Sequence, residues 1–419
     1  MANVLYLVHR IPYPPNKGDK LRSYHLLRAL AAEHRVFLGT LVDDPADMAH
    51  VNTLRSMCVD VCALPLRPVS ALLRSAWALV TRDPITLHHF RNAALSRWVA
   101  RTVQNQGIQR IVAVSSAMAP YALAHPAVPL VMDFVDTDSA KWAQYAATHP
   151  LPMRWIYARE ASRLAMYERQ VAANAERCVF ATSRERDLFL LSGPEPHCAV
   201  EVLDNGVDTD HFAPDPQRLS PFVPGETALV FTGTMSHWPN VDAVLWFARD
   251  VLPALRQRRP GLRLHVVGRA PSPALQAAAA NAGAGLVLTG AVDDVRPWLQ
   301  HAAVVVAPVR LARGVQNKVL EGLAMGRPLV TSSDCAGALG AQPGAHLLTA
   351  GSATEYQQAV ETLLDAPSTA AAMGQAARLR MQQAHAWPQR LAGVRTWFER
   401  TPASVAAAYP PNAVTRLAI

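Results

Sequence analysis

Two charged residues three positions apart, Lys318 and Glu321, are the strongest candidates for chemistry in this sequence. They fall in a predicted helix over 317–325, where this spacing puts both side chains on one side near the helix start. A glycine loop at Gly314 precedes the helix, and free backbone N–H groups and the helix dipole favour an anion there. Lys318 would add positive charge for a phosphate, and Glu321 could accept two hydrogen bonds from a sugar diol. The alternative is a solvated Lys–Glu pair on a surface helix.

This helix lies between two predicted strands. Short apolar runs at 304–308 and 329–331 are typical of buried parallel strands, and Gly326 followed by Pro328 predicts the helix end. Three further strands are predicted at 228–231, 262–267 and 285–289. Glycines follow these strands, beginning with Gly233, where a ligand could approach the backbone, although a glycine also simply terminates a strand.

The first half of the chain has the same design. A predicted strand over 3–9 leads through a proline-rich turn to Gly18, a helix and a second strand over 36–42. This order opens a doubly wound parallel sheet. The loop lacks the G-x-G-x-x-G pattern, which disfavours a nicotinamide or flavin site. Gly18 would let a ligand approach the backbone closely, or it belongs to an ordinary turn before the helix.

A second group of candidates, Asp133, Asp136 and Asp138, follows a predicted strand over 129–132. Open α/β sheets bind ligands beyond the carboxyl ends of their strands. A carboxylate from Asp133 or Asp136 could therefore orient an acceptor hydroxyl and help to take its proton. The spacing of the three does not resemble a metal site. Asp136 or Asp138 could instead cap the next helix.

The two β/α series predict an α/β protein with two doubly wound, Rossmann-like domains. We expect the first domain over residues 1–204 and the second over 205–385, beginning with a proline-rich linker at 205–226. Aromatic and aliphatic residues spaced along 386–400 predict a last helix. The alanine- and proline-rich residues 401–419 are expected to form a loose tail.

The net charge of +8 is concentrated in the first 200 residues, which hold 22 Lys and Arg against 16 Asp and Glu. This excess favours an anionic partner such as a phospholipid surface, whereas nucleic acid is disfavoured because no recognition motif occurs. Residues 68–92, with Trp77 among leucines and arginines, could lie on a membrane or face the core. We expect no signal peptide, no membrane-spanning helix and reduced thiols in the cytoplasm.

Several segments resemble the GT-B glycosyltransferases, in particular the retaining enzymes of family four. The segments are NGVD at 205–208, FTGTMSHWPN at 231–240, VVGRAP at 266–271, LTGAVDDVRPWL at 288–299 and KVLEGLAMGRPLV at 318–330. In addition, DFVDTDSAKW at 133–142 and RGVQNKVLEGLAMGRP at 313–328 resemble the sugar transferases of PEP-CTERM/exosortase-associated exopolysaccharide clusters.

This resemblance implies that the two domains face each other across a cleft and that the last helix crosses back to the first domain. It also implies a role in donor binding for six residues. Glu321 would bind the ribose, Lys318 and the amides near Gly314 and Gly233 the diphosphate, the backbone around Val292 the base, and Gly18 would close on the donor. Two positions depart from the family: Arg313 stands where it has a glutamate, and Asp133 where many members have a histidine.

The implied activity is transfer of a sugar, with retention and without a metal, from a nucleotide-diphosphate sugar to a lipid-linked or polysaccharide acceptor. No cofactor beyond the nucleotide-sugar co-substrate is implied. The expected location is the cytoplasm, with peripheral contact at the inner face of the plasma membrane. The alternatives are a non-catalytic subunit that binds nucleotide-sugar or membrane in a polysaccharide assembly complex, and an epimerase acting on nucleotide-sugars.

Overall fold

Two parallel β-sheets, one in each half of the chain, form the frame of this computed structural model, which describes residues 1–16, 18–66, 75, 81, 83–310 and 315–399. The first sheet has the order β3-β2-β1-β4-β5-β6-β7. Its strands are β1 (Asn3–Val8), β2 (Arg35–Val42), β3 (Asp60–Pro65), β4 (Arg110–Val114), β5 (Leu130–Val135), β6 (Arg177–Phe180) and β7 (Ala199–Val202). The strand order reverses between β1 and β4, and a ligand crevice is expected at that point.

The second sheet repeats this design with the order β10-β9-β8-β11-β12-β13. Its strands are β8 (Thr227–Thr232), β9 (Leu262–Val267), β10 (Leu286–Gly290), β11 (Val304–Ala307), β12 (Leu329–Thr331) and β13 (Leu348–Thr349). Here the order reverses between β8 and β11. Two such sheets confirm the prediction of an α/β protein with two doubly wound, Rossmann-like domains.

Helices cover both faces of each sheet, which explains why the strands are nearly continuous apolar runs. In the first domain they are α1 (Gly18–Glu33), α2 (Val51–Arg55), α3 (Ile85–His89), α4 (Ala93–Asn105), α5 (Ala119–Leu123), α6 (Asp138–Thr148), α7 (Met153–Asn174) and α8 (Ser183–Leu191). In the second they are α9 (Trp238–Asp250), α10 (Leu252–Arg258), α11 (Pro273–Ala282), α12 (Arg296–His301), α13 (Asn317–Ala324), α14 (Ser333–Ala338), α15 (Ala353–Asp365) and α16 (Pro367–Arg380). None of the helices in the described ranges is long and apolar enough to cross a membrane.

Most predicted strands agree with the structure to within two residues, but β3, β7, β13 and the end of β5 differ. The strand predicted at 129–132 continues to Val135, so Asp133 lies within β5 rather than beyond it. A break in register between Asp133 and Val135 lets the chain continue along β6. The edge strands β3, β7 and β13 were not predicted. β13 is only two residues long, and β3 begins with Asp60 and ends with a proline.

The end of the second domain returns to the first, as the resemblance implies. After α16 the chain forms a π-helical turn (Met381–His385), α17 (Trp387–Leu391) and a 3-10 helix (Ala392–Phe398). The indole of Trp387 stacks on the imidazole of His25 in α1, with ring centroids 4.6 Å apart. Farther on, Nε1 of Trp397 donates a hydrogen bond to Glu201 Oε2 at 3.3 Å. These contacts join the last helix to the core of the first domain.

We therefore expect Trp387→Ala to lower the free energy of unfolding by about 3–5 kcal/mol, the usual cost of removing a buried aromatic side chain. Trp387 is 3% exposed, whereas Trp238 is 61% exposed, so Trp238→Ala is the matched control and should change stability by less than about 0.5 kcal/mol. Denaturant unfolding followed by circular dichroism would measure both. Equal losses in the two variants would contradict the described packing.

Candidate functional site

The starts of two helices face each other across the cleft between the domains. Gly18 begins α1 in the first domain, and Asn317 begins α13 in the second. A Cβ atom at Gly18 would lie 3.5 Å from Nδ2 of Asn317, so the two helix starts approach to contact distance. The side-chain oxygen of Asn317 is buried without a hydrogen-bond partner among the described residues. Two helix dipoles thus direct their positive ends into one space, which favours an anion.

Lys318 is held in place at the start of α13 rather than solvated. Its Nζ donates a hydrogen bond to Asn240 Oδ1 at 2.5 Å and lies 4.9 Å from the ring centre of Phe231. Burial lowers the pKa of Lys318 to about 8, against the opposing charges of Cys335 and Glu321. The described contacts do not fit the alternative of a solvated surface pair.

Glu321 lies one turn further along α13 and faces the space between the domains. Burial raises the pKa of its carboxyl to about 7, although the charge of Lys318 acts in the opposite direction. The carboxylate lines a pocket together with Leu21 of α1 and Asn317. The remaining walls come from Leu320 and from the interdomain segment, through Gly206, Val207, Asp208 and Phe212. Glu321 is therefore placed to accept hydrogen bonds from a ligand between the domains.

Gly233, at the end of β8, does not offer its own amide to a ligand. Its N–H donates to the carbonyl of Val267 at 3.0 Å. The expectation that amides near Gly233 bind a diphosphate therefore concerns its neighbours and stays a prediction. No side chain fits at this position without a shift of Asn240, because a Cβ there would lie 2.7 Å from Nδ2 of Asn240. The same Nδ2 donates to the carbonyl of Thr234, which fixes the orientation of the Asn240 oxygen that holds Lys318.

Asn240 is thus a site residue that sequence reasoning missed. Asn240 is the last residue of the FTGTMSHWPN segment, whose resemblance to the family could have identified it. An asparagine after a proline is, however, most simply assigned to a helix start. His237, in the same segment, lies near lysines of both domains. Its pKa is lowered by burial and then by the charges of Lys318 in the second domain and Lys141 in the first.

The remaining predicted donor residues are Val292 and Gly314. Val292 follows β10, is partly buried and packs against the apolar cluster beneath α13. Gly314 and its neighbour Arg313 lie outside the described residues, as does most of the segment 68–92 considered for membrane contact, and the tail over 401–419.

In the first domain, Asp133 is fully buried and forms a bidentate ion pair with Arg22 of α1. The guanidinium donates to its two carboxylate oxygens at 2.8 and 3.0 Å. A third donor, the N–H of Val135, lies 3.1 Å from the same carboxylate. With no exposed surface on its side chain, Asp133 cannot touch a substrate in this arrangement. The physical reason is the longer β5, which encloses this residue. Of the two predicted catalytic aspartates, Asp136 is the exposed one.

Asp136 is exposed at the carboxyl end of β5, beside a strained piece of backbone. Val135 has a φ of 68°, and Ser115, at the end of the neighbouring strand β4, has a φ of 73°. Both lie in the left-handed region, which is costly for residues other than glycine and especially for a β-branched valine. Such strain persists only where the surroundings enforce it, and it concentrates at functional sites.

Buried carboxylates hold the loop that carries Asp136. The N–H of Thr137 donates to Glu185 at 2.7 Å, and Ser139 donates through its N–H and hydroxyl to Glu168 at 3.1 and 2.5 Å. Burial raises the pKa of Glu168 to about 8. Thr137 is the residue before α6, so neither aspartate caps that helix. Asp138 instead accepts a hydrogen bond from Ser116 at 3.2 Å.

His9 is a second residue that the sequence did not single out. It follows β1 at the point where the strand order reverses, and its Nε2 lies 3.7 Å from Asp19 of α1. Its Nδ1 is buried without a hydrogen-bond partner among the described residues. No spacing pattern identifies a lone histidine after a strand, so only the topology reveals its position.

Comparison with known proteins agrees with this geometry. Residues 226–366 match the family described as glycosyl transferases group 1. Sucrose-phosphate synthase from Thermosynechococcus elongatus is similar in structure, with a TM-score of 0.73 at 16% identity over 95% of this chain and 98% of that one. HepE from Anabaena, solved in complex with UDP, has a TM-score of 0.69 at 16% identity over 94% of this chain and 99% of that one. The chain has the GT-B fold.

WaaG, a glycosyltransferase involved in lipopolysaccharide biosynthesis, has a TM-score of 0.60 at 16% identity, with 95% of this chain and all of that chain covered. No curated protein sequence matches the chain. The GT-B fold accounts for the arrangement around Lys318 and Glu321, since its two sheets direct the ends of their strands toward one cleft. Together with the match over the second domain, it supports glycosyl transfer as the kind of reaction.

The ion pair between Arg22 and Asp133 yields a stability prediction. Arg22→Met should lower the free energy of unfolding by about 3–5 kcal/mol, because it leaves a buried carboxylate without its partner. Adding Asp133→Leu to that variant removes the orphaned charge and should restore most of the loss. Denaturant unfolding of both variants and of the wild type would measure these changes in the free energy of unfolding. A double variant no more stable than Arg22→Met would show that the pair is not coupled.

The raised pKa of Glu321 predicts a pH dependence. Because its pKa in the folded protein, about 7, lies above the ordinary value of 4.5, the folded protein holds this proton more tightly than the unfolded chain. The associated stability is complete below pH 4.5 and is lost as the pH rises through 7. Between pH 4.5 and 8, the wild type should lose on the order of 2–3 kcal/mol more than Glu321→Gln. If the stabilities of the two proteins changed with pH in the same way, the raised pKa of Glu321 would be ruled out.

Proposed function

We propose that this protein transfers a sugar from a nucleotide-diphosphate sugar to a lipid-linked or polysaccharide acceptor. The observation that carries the proposal is the pair of helix starts, at Gly18 and Asn317, which approach each other beside a pocket lined by Glu321, with Lys318 next to Asn317 in the same helix start. An anionic diphosphate suits the two helix dipoles and the lysine, and a ribose diol suits the carboxylate. HepE binds UDP and UDP-glucose with the same fold, which supports a nucleotide-sugar as the donor here.

In this proposal each donor group has its own partner. The diphosphate binds beside the start of α13, where Asn240 keeps the ammonium of Lys318 in position. The ribose binds Glu321. The base lies near the backbone around Val292, and the amides near Gly314 join Lys318 at the diphosphate, as the family resemblance implies. Gly18 closes on the donor from the first domain, at the helix start that approaches Asn317.

Catalysis then rests mainly on stabilising the leaving diphosphate. Negative charge develops on the diphosphate as the bond to the sugar breaks, and Lys318 with the two helix dipoles meets that charge without rearrangement. Asp136, exposed at the end of β5, orients the acceptor hydroxyl and helps to take its proton. We propose transfer with retention and without a metal requirement, in line with the family-four resemblance. Closure of the domains would exclude water from the donor.

The sequence segments at 133–142 and 313–328 support a finer assignment to exopolysaccharide biosynthesis of the PEP-CTERM/exosortase type. An acceptor carried by a lipid would place the reaction at the cytoplasmic face of a membrane, with the protein as a peripheral component. One specific observation favours a second function. Arg313 replaces the glutamate that the family positions near the transferred sugar, as expected if the protein were a binding subunit that retains the nucleotide-sugar but does not turn it over.

The first test is donor binding. A nucleotide-sugar that binds only the folded protein must raise its melting temperature, so UDP-, GDP- and ADP-sugars are compared by thermal shift. We expect a shift with one base, and a loss of about 1.5–3 kcal/mol in donor binding for Glu321→Ala, the worth of charge-assisted hydrogen bonds. The matched control is Glu195→Ala, which removes an exposed glutamate in the first domain. No shift with any donor would contradict the proposed function.

A second experiment, which measures turnover, separates the candidate functions. A transferase forms product only with donor and a lipid-linked sugar acceptor together, and proton NMR of the product reports whether the anomeric configuration is retained. Asp136→Asn should lower kcat by roughly 10²- to 10⁴-fold with donor affinity unchanged. Product from donor alone would identify an epimerase. Donor binding without turnover would favour the binding subunit.

A further inference from the structure

The hairpin formed by α6 and α7, residues 138–174, carries an apolar and basic tip that the donor site does not use. The turn between the two helices exposes three large apolar side chains. Leu151 is 74% exposed, Trp155 56% and Met153 38%. An exposed tryptophan beside two exposed aliphatic side chains is uncommon on a water-facing surface, and such patches mark interaction sites.

The charges around this tip have one sign. From Ser139 to Arg159 the sequence contains no aspartate or glutamate, and Arg154, directly after the turn, is exposed. The first acidic residue beyond them, Glu160, is buried and accepts hydrogen bonds from the N–H groups of Ile85 and Thr86. The tip therefore combines exposed apolar groups with the exposed positive charge of Arg154, a composition typical of segments that bind anionic membrane surfaces.

The hairpin is rigid enough to present this tip without an ordering cost. An aromatic cluster locks its two helices together: the ring of Tyr157 lies 5.2 Å from Trp142, 6.0 Å from Tyr145 and 5.1 Å from His149, measured between centroids. At the opposite end, Ser139 is tied to the buried Glu168 of α7. The apolar residues at the turn are thus fixed in place before they meet a partner.

We propose that the tip of the α6–α7 hairpin docks this protein on an anionic phospholipid bilayer. Leu151, Met153 and Trp155 would enter the headgroup region, and Arg154 would meet lipid phosphates. Tryptophan suits that boundary because its ring is apolar while its N–H prefers water. This inference gives the peripheral membrane contact a different location from residues 68–92.

The position of the hairpin links docking to the proposed reaction, on which this part of the inference rests. The helix α6 begins at Asp138, beside the exposed Asp136, and its 11 residues span roughly 16 Å before the turn. A tip resting on the bilayer would hold the end of β5 that far above the surface. A lipid-linked acceptor could then reach Asp136 with its headgroup while its chains remain in the membrane.

The test is sedimentation of the full chain with vesicles of phosphatidylcholine containing phosphatidylglycerol, and with vesicles of phosphatidylcholine alone. We expect pelleting with the anionic vesicles that weakens as salt rises. Replacing Leu151, Met153 and Trp155 together by serine should lower the partition coefficient at least about tenfold. The matched control replaces three exposed apolar residues of the second domain and linker, Leu219, Val223 and Leu379, and should bind like the wild type.

Charge is tested separately. Arg154→Glu should weaken binding to anionic vesicles about fivefold for each of the two units of charge it changes. Arg97→Glu is its control, because Arg97 is exposed on α4, which packs on β2 and β3 at the other edge of the sheet. No pelleting of the wild type, or equal pelleting of the hairpin and control variants, would overturn the proposal. Self-association of the wild type that the serine variant abolishes would also overturn the proposal, because the apolar patch would then bind a second copy of the chain.

These outcomes are independent of the proposed function, because vesicle binding requires neither donor nor turnover. A protein that binds vesicles through the hairpin but gives no thermal shift with nucleotide-sugars would retain the docking surface and lose the transferase assignment. The reverse result, donor binding without vesicle binding, would remove the docking surface alone. Circular dichroism of the serine variant checks that its helices remain folded.

Discussion

The guanidinium of Arg22 is the point at which three parts of the first domain are fixed to one another. It extends from α1 and binds both oxygens of Asp133 in β5, and it also donates to the carbonyl of Leu203 and to Asn205, where the chain leaves the domain. A buried ion pair is costly to form, but breaking it is costlier, so such a pair specifies one arrangement rather than adding stability. The arrangement it specifies is that of the cleft, because α1 presents Gly18, β5 presents Asp136, and the exit segment lines the pocket at Glu321.

In the second domain, neutral groups rather than an opposite charge hold a partly buried cation, Lys318. Lys318 lies in a partly buried place, and burial lowers its pKa to about 8. One amide oxygen, that of Asn240, and the face of Phe231 compensate part of that cost. Gly233 is required there for its missing side chain, since any Cβ would displace the asparagine. The anion site therefore depends on packing behind Lys318 as much as on the lysine itself.

Sequence reasoning was sufficient for the fold because the signals were local and strong. Apolar runs of strand length, glycines after strands and the Gly326–Pro328 helix stop are properties of neighbouring residues. The helix that carries Lys318 and Glu321 was predicted within one residue of its observed end. The roles at the site were harder to predict, because they depend on contacts across the sequence. Arg22 and Asp133 are 111 positions apart, and nothing in either segment indicates that they bind each other. Asn240 likewise acts on a residue 78 positions away.

The chain passes between the domains twice, and the two passages are hydrogen-bonded to each other. The N–H of Val207 donates to the carbonyl of His385 at 2.8 Å, and that of Trp387 donates back to Val207 at 3.3 Å. Gly206 packs so closely on Trp387 that a Cβ would lie 2.9 Å from its ring. Two connections that are hydrogen-bonded side by side form one joint between the domains rather than two separate ones. Any opening of the cleft would have to turn about this joint, because sliding of one domain past the other would break both hydrogen bonds.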